Sequence, residues 1–342
     1  MRHILYSLLP LFFSVTAFAG EINQQKAKKI AEDFMAARGK SVESRQQPHK
    51  AIRRQSNRNT RKTFYYVFNG ASGDGFVVVS ADDRTTPILG YADKGSFRED
   101  RLPQNARAFL QGYIDEMERL DAQGTKPAVA QAPSRPIRAG LPNAVEPLLK
   151  MEWNQYAPYN DLCPNYFTYE GEQLRSVTGC VATAVAQIMK HHRHPEATLT
   201  DIPALSCKYV TVDGVKSVSV PAIGQGTPLD WDKMVANHEE GATSQAQNEA
   251  VATLMRCVGQ AVGMRWGRIS NAGGTGNVTD ALKYHFGYDD GVRVVYRSRT
   301  TRREFTDTIC AELAAGRPVF MAASNTGGGH AMVIDGYTAD GL

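Results

Sequence analysis

The run Cys180-Val181-Ala182-Thr183-Ala184-Val185-Ala186-Gln187-Ile188-Met189-Lys190, directly after Thr178-Gly179, constrains this chain more than any other stretch. The glycine marks a turn. The alanines, Gln187 and Lys190 favour helix, and Val181, Val185, Ile188 and Met189 fall at spacings that line one buried stripe. A turn passing into a helix, with a cysteine at the junction, is predicted. There the sulfur lies beside the first unpaired backbone N–H groups, where the positive end of the helix dipole favours thiolate over thiol. A small, buried, apolar cysteine is the other reading of the same residue.

At 342 residues the chain has room for about two domains, each burying its own core. A net charge of +4 makes no case for a nucleic-acid or membrane-surface partner. Arg2 and His3, an apolar stretch over 4–15 and Ala17-Phe18-Ala19 form an export signal, so residues 1–19 are read as a signal peptide and the mature protein as secreted. That apolar stretch is too short to span a bilayer and stay. Cys163, Cys180, Cys207, Cys257 and Cys310 include no C-x-x-C pair, which argues against a zinc or thioredoxin-like site. Their odd number leaves at least one free thiol, and three pairings of the other four stay open.

Behind the signal, Ala27, Ile30, Ala31, Phe34 and Met35 predict an amphipathic helix over 24–38, with Gly39 as its stop. The basic run 45–62 has no periodicity and no interleaved aromatic residue, so it is read as a solvated loop. Strands are expected at 64–68, 76–80 and 87–91, then a second amphipathic helix marked by Phe109, Leu110, Tyr113, Ile114 and Met117. Residues 20–121 thus form a small α+β domain without a catalytic cluster. Residues 122–143, rich in Pro, Ala and Gly, join it to the second domain, 144–342, as a processing linker or an ordinary interdomain one.

In the second domain, His191, His192 and His194 close the Cys180 helix. Adjacent helical positions point apart and no carboxylate accompanies them, so they are read as a helix end signal, not a metal site. Short β pieces over 208–220, a turn at Leu229-Asp230-Trp231-Asp232 leading into a helix, and helices over 247–262, 278–286 and 303–315 follow. The loop Asn271-Ala272-Gly273-Gly274-Thr275-Gly276 lacks the preceding strand and the lysine of a phosphate cradle, and is taken as a cleft edge. Strands over 318–323 and 330–337, joined by a glycine-rich turn, should pair antiparallel, with His330 at the start of the second.

Cys180 and His330 make the pair a thiol hydrolase needs. They stand 150 positions apart, near the ~130–150 that separate nucleophile and base in papain-type enzymes. The imidazole takes the thiol proton, and the imidazolium later protonates the leaving amine. The Cys180 N–H supplies one oxyanion donor by position, and the side-chain amide of Gln155, in an aromatic-flanked segment, is the candidate for the other.

The segments Trp153-Asn154-Gln155 with Pro158-Tyr159-Asn160, Thr178-Gly179-Cys180-Val181-Ala182-Thr183-Ala184 with Gln187-Ile188-Met189-Lys190, and Gly329-His330-Ala331 with Val333-Ile334-Asp335-Gly336 carry a family likeness. They resemble the streptopain (interpain-like) family of bacterial papain-clan cysteine peptidases. Phe76-Val77-Val78-Val79-Ser80-Ala81-Asp82-Asp83-Arg84 and Pro87-Ile88-Leu89-Gly90-Tyr91 resemble its prodomain. The resemblance implies a proenzyme of α+β class: a papain-like domain, its nucleophile helix packed on an antiparallel sheet, behind an inhibitory prodomain. It implies Cys180, His330 and Gln155 as catalytic residues and Gly179, Asn271, Ala272, Gly273, Gly274 and Gly329 at the substrate cleft. Protein and peptide substrates, the chain's own prodomain as inhibitor, and no cofactor, metal, nucleic acid or membrane are implied with them.

The family pattern continues past the histidine strand with an imidazole-orienting residue and a Trp-Gly-Trp-Gly-Gly run, neither of which follows Tyr337 here. The expectation is a fragment of a longer precursor, weakly active or inactive by itself. A non-catalytic peptidase inhibitor or adhesin is the competing reading, which the Cys180, Gln155 and His330 trio disfavours. An acyltransferase passing the thioester to an amine is a third.

Overall fold

The computed structural model describes residues 21–43, 49–54, 61–102, 104–122, 140–167, 173–211, 214–238, 243–267, 275–325 and 328–338. The expected signal peptide, most of the expected linker, and Asn271, Ala272, Gly273 and Gly274, expected at a cleft, lie outside them. The chain divides into two compact units, Met1–Ala132 and Pro133–Leu342.

In the first unit, α1 (Gln24–Ala36) starts where the Asn23 side chain accepts the Lys26 N–H at 2.9 Å, and buries Ala27, Ala31 and Met35. Four antiparallel strands follow in spatial order: β1 (His49–Arg54), β2 (Arg61–Asn69), β3 (Phe76–Ser80) and β4 (Ile88–Ala92). The last helix is α2 (Gln104–Ala122). Val77 and Val79 pack with Tyr66 and Phe68 toward Ala27, Ala31 and Met35 of α1. Val67, Val78 and Leu89 pack with Leu110, Ile114 and Met117 of α2. A helix covers each face, which is why β3 is apolar without a break from Phe76 to Val79.

The basic stretch 45–62 is not all loop. Residues 49–54 form the edge strand β1, paired from His49 opposite Val67 to Arg54 opposite Arg61. An edge strand of Lys and Arg lacks the period-two burial signal, and such charges on an edge discourage pairing with other chains. Beside this sheet, Asp82 is buried to 1% exposure and held by Arg84. Asp82 Oδ1 accepts the Arg84 N–H at 3.0 Å and Nε at 2.8 Å, and Lys62 Nζ stands 3.5 Å from Oδ2.

The second unit opens with a small hairpin, β5 (Asn165–Phe167) and β6 (Gln173–Arg175). The helix α3 (Cys180–His192) then buries Ala182, Thr183, Ala184, Val185, Ala186, Ile188 and Met189, while Val181 stays partly exposed. The buried surface is thus wider than the expected stripe, because the alanines let neighbours approach from several sides. The hairpin of β7 (Leu205–Thr211) and β8 (Gly214–Val220) follows. The turn at 229–232 leads into no helix directly; α4 (Gln245–Ala261) starts at a Ser244–Gln247 capping box and packs Val251, Leu254, Met255 and Val258 with Val185 and Met189 of α3. Each such large side chain contributes about 1.5–3 kcal/mol on burial.

The remaining elements are α5 (Thr275–Tyr284), α6 (Arg302–Ala314), β9 (Val319–Asn325) and β10 (Gly328–Ile334). The last two form the expected antiparallel hairpin, with His330 opposite Ala323, and α3 packs on it. Among the described residues no helix is long and apolar enough to cross a membrane.

Trp266 is buried, and its indole N–H donates to the Thr178 carbonyl at 3.3 Å. Gly259 of α4 leaves room for that ring, since a Cβ there would stand 2.6 Å from Trp266 Cζ2. Gly259→Ala should therefore cost about 1–3 kcal/mol through overpacking, read as a lower denaturant midpoint with an unchanged m-value.

Candidate active site

Cys180 is the first residue of α3 and the one cysteine of five that is not buried; all five are free thiols. Gly179 precedes it as N-cap with φ 92°, a left-handed conformation that a side chain would strain. This turn is held from three sides at Thr178. Its N–H donates to the Gln155 carbonyl at 3.1 Å, its carbonyl accepts from Trp266, and its hydroxyl pairs with the buried Thr183 hydroxyl at 2.8 Å. Thr183 returns along α3, its hydroxyl donating to the Gly179 carbonyl at 3.1 Å. The sulfur is thus displayed on a fixed turn at the positive end of a 13-residue helix.

His330 lies half-buried on β10, two residues into the strand, with exposed Gly329 before it. The Ala331 N–H points at Cys180 Sγ at 3.4 Å, so β10 brings the residue after the histidine onto the thiol. Burial pushes the His330 pKa below its ordinary value by disfavouring the charged imidazolium. A thiolate at Cys180 would oppose that shift by stabilising the imidazolium.

Gln155 is half-buried in a turn where the Asn154 side chain accepts the Tyr156 N–H at 2.7 Å. Its backbone is tied to Thr178, two positions before Cys180. The segment around it is also anchored beyond that turn. The Trp153 indole donates to the Val235 carbonyl at 2.9 Å, the Tyr159 hydroxyl accepts the His238 N–H at 3.1 Å, and Asn160 Nδ2 donates to the Ser176 carbonyl at 3.0 Å.

The structure therefore brings Cys180, Gly179, Gln155, Gly329 and His330 to one region, while the other four cleft residues fall outside the described part. Thr178, Trp266, Tyr159 and His238 are supporting residues that sequence reasoning did not single out for a role here. The aromatic 153–159 segment pointed to Tyr159 and the turn before Cys180 to Thr178, while no local pattern marked Trp266 or His238.

His238 is buried and its ring is fully engaged. Nε2 accepts the Val235 N–H at 3.1 Å, so Nδ1 carries the proton and faces Asn248 Oδ1 at 3.2 Å. Burial holds its pKa below the ordinary 6.5 against the Asn248 bond, and Lys190 lowers it further. His192, His285 and His330 are shifted the same way by burial. The unfolded chain takes up these protons near 6.5 while the folded one resists, so stability is full above that value and falls as pH drops below it. His238→Gln, neutral at every pH, should flatten the fall in Tm between about pH 7 and 5.

The histidines at the end of α3 serve its terminus and neighbouring carbonyls: His191 Nε2 lies 3.0 Å from the Gly316 carbonyl and His194 Nε2 3.4 Å from that of Gly287. Among the described residues no group of three or more His, Cys, Asp or Glu could hold a metal ion.

The sequence profile of the Peptidase C10 family matches residues 153–342, and that of the Spi protease inhibitor family matches residues 19–117. The thiol protease/hemagglutinin PrtT of Porphyromonas gingivalis is 32% identical across 100% of this chain, which spans 39% of that protein's length. Streptopain of Streptococcus pyogenes is 34% identical over 81% of this chain and 68% of its own. Among solved structures, a prointerpain A fragment of Prevotella intermedia bearing a cysteine-to-alanine substitution matches with TM-score 0.65 and 29% identity, over 86% of this chain and 87% of that one. Active wild-type interpain A matches with TM-score 0.51 and 32% identity, over 61% of this chain and 83% of that one.

Proposed function

The chain belongs to the Peptidase C10 family, and from that membership we propose that it is the zymogen of a secreted cysteine endopeptidase. Cys180 attacks the scissile carbonyl as thiolate, and His330 holds the thiol proton and passes it to the departing amine, leaving a thioester. Water, deprotonated by His330, then cleaves the thioester and restores the thiol. The Cys180 N–H and the Gln155 side-chain amide hold the negative oxygen in both steps. The chemistry uses no metal or cofactor.

The observation that carries this reading is the 3.4 Å approach of the Ala331 N–H to Cys180 Sγ, which sets the histidine strand against a cysteine at a helix N-terminus. Residues 1–19 act as signal peptide, 20–121 as inhibitory prodomain and 122–143 as the processing linker; the inhibitor-family match over 19–117 supports the second of these. Protein and peptide substrates enter a cleft bordered by Gly179 and Gly329.

Titration with a thiol-directed epoxide, mapped before and after linker cleavage, tests the proposal. Label on Cys180 should accompany loss of thiol-dependent hydrolysis of an unfolded protein substrate. Label on another cysteine, or no label on Cys180 after cleavage, would sink it. The inhibitor-family match also favours a second reading, a binding protein acting on other peptidases. Such a protein would block an added thiol peptidase yet hydrolyse nothing itself after cleavage.

A further inference from the structure

The segment leading into the second unit lies on the strand that carries His330. The Val145 N–H donates to the Tyr337 carbonyl and the Tyr337 N–H to the Val145 carbonyl, both at 2.9 Å, an antiparallel bridge that continues the line of β10 beyond Ile334. Next to it the Leu148 N–H donates to the Asp335 carbonyl at 2.9 Å and the Leu149 N–H to Asp335 Oδ2 at 3.2 Å. The Tyr337 hydroxyl donates to the Pro142 carbonyl at 2.8 Å. Leu141, Val145 and Leu148 pack with Ile334, Tyr337 and the α6 residues Ile309 and Leu313. The two backbones pass so closely at Gly336 that a Cβ there would stand 2.6 Å from the Val145 carbonyl oxygen.

β10 is short, and among the described residues β9 is its one strand partner along its length. Its first half meets the thiol through Ala331; its far end is gripped by residues 141–149. A strand gripped at one end and loaded with a catalytic side chain at the other keeps its register only while the grip holds.

We propose that residues 141–149 are a positioning clamp for the His330 strand, and that activation cuts the chain upstream of Leu141, so that the clamp stays on the active enzyme. This rests on the zymogen reading and narrows it, since a cut inside 141–149 would remove the prodomain and misplace the base together. Leu141, Pro142 and Asn143, which composition assigns to the linker, then belong functionally to the peptidase.

Two measurements on the full chain test the clamp. The first maps the N-terminus of the species whose Cys180 takes the epoxide label after activation. A start at or before Leu141 is expected, and an active species starting beyond it overturns the proposal. The second is hydrogen exchange in Gly336→Ala, whose added methyl pushes 145–147 away. The β10 amides should exchange about tenfold faster while those of β7 and β8 are unchanged. The acid limb of Cys180 alkylation should move up toward the ordinary thiol value of about 8.5. Tyr337→Phe, which loses only the bond to Pro142, gives a milder shift of the same kind if the alanine variant fails to fold. Unaltered β10 exchange in both variants refutes the clamp. If the unsubstituted chain itself shows no acid-shifted alkylation, the zymogen reading falls while exchange still decides the clamp.

Discussion

Replacing His330 with alanine should lower kcat/KM for peptide hydrolysis by about 10³ to 10⁴, measured against the unsubstituted chain after the same activation. The loss has two sources. A free thiol with an ordinary pKa is only a few per cent thiolate near pH 7, so most of the nucleophile population goes with its imidazolium partner. The leaving amine then departs without a positioned proton donor. Because His330 is half-buried and flanked by β9, whose pairing uses backbone groups alone, the variant should still fold. A loss below about tenfold would mean that another group serves as base.

Arg84→Ala should destabilise the first unit by about 2–3 kcal/mol, on the order of 10 °C in its Tm. Burial alone would raise the Asp82 pKa, but the bonds from Arg84, with Lys62 nearby, hold it below the ordinary carboxylate value. Losing the Arg84 side chain leaves the buried carboxylate with only the backbone N–H of residue 84, 3.0 Å from Oδ1, and Lys62, 3.5 Å from Oδ2. That backbone bond and the Lys62 charge keep the cost below the ~3–5 kcal/mol of a fully buried pair broken in isolation. A depressed carboxylate pKa stabilises above the unfolded value and loses that contribution as pH falls through the folded one. The two proteins should therefore converge as pH falls below 3.8, and Asp82→Asn on top of Arg84→Ala should recover part of the loss at pH 7. On the zymogen reading, Arg84→Ala also raises the activity of the uncleaved chain.

The fold class was legible because its main signals are local. The stripes of α1, α2 and α4 and the run through β3 are written in consecutive residues, and the α+β architecture, with a prodomain-like region before a papain-like peptidase, agrees with the prointerpain A likeness. The strand β1 escaped because the sequence His49-Lys50-Ala51-Ile52-Arg53-Arg54 carries no period-two alternation of apolar and polar residues. The Thr178–Trp266 bond joins positions 88 apart, and no periodicity encodes such a partner. His238, a lone histidine among polar neighbours, left no trace of its buried lock on Val235 and Asn248. The clamp was hidden for a different reason: its first residues share the linker's composition, and their packing shows only in the contacts of Leu141 with the Tyr337 cluster and in the Tyr337 hydroxyl bond to Pro142. Cys180 and His330 were found together because a turn-helix cysteine and a strand-start histidine are rare enough to be matched by chemistry.

The pairing of these two residues is what the proposed chemistry requires first. The measurement is the pH dependence of alkylation at each of the five cysteines, followed by peptide mapping, in the unsubstituted chain and in His330→Ala. The prediction is modification of Cys180 ahead of the four buried thiols, with an acid limb well below about 8.5 that returns to that value in the variant. An acid limb near 8.5 in both proteins, or faster modification of a buried cysteine, would contradict it.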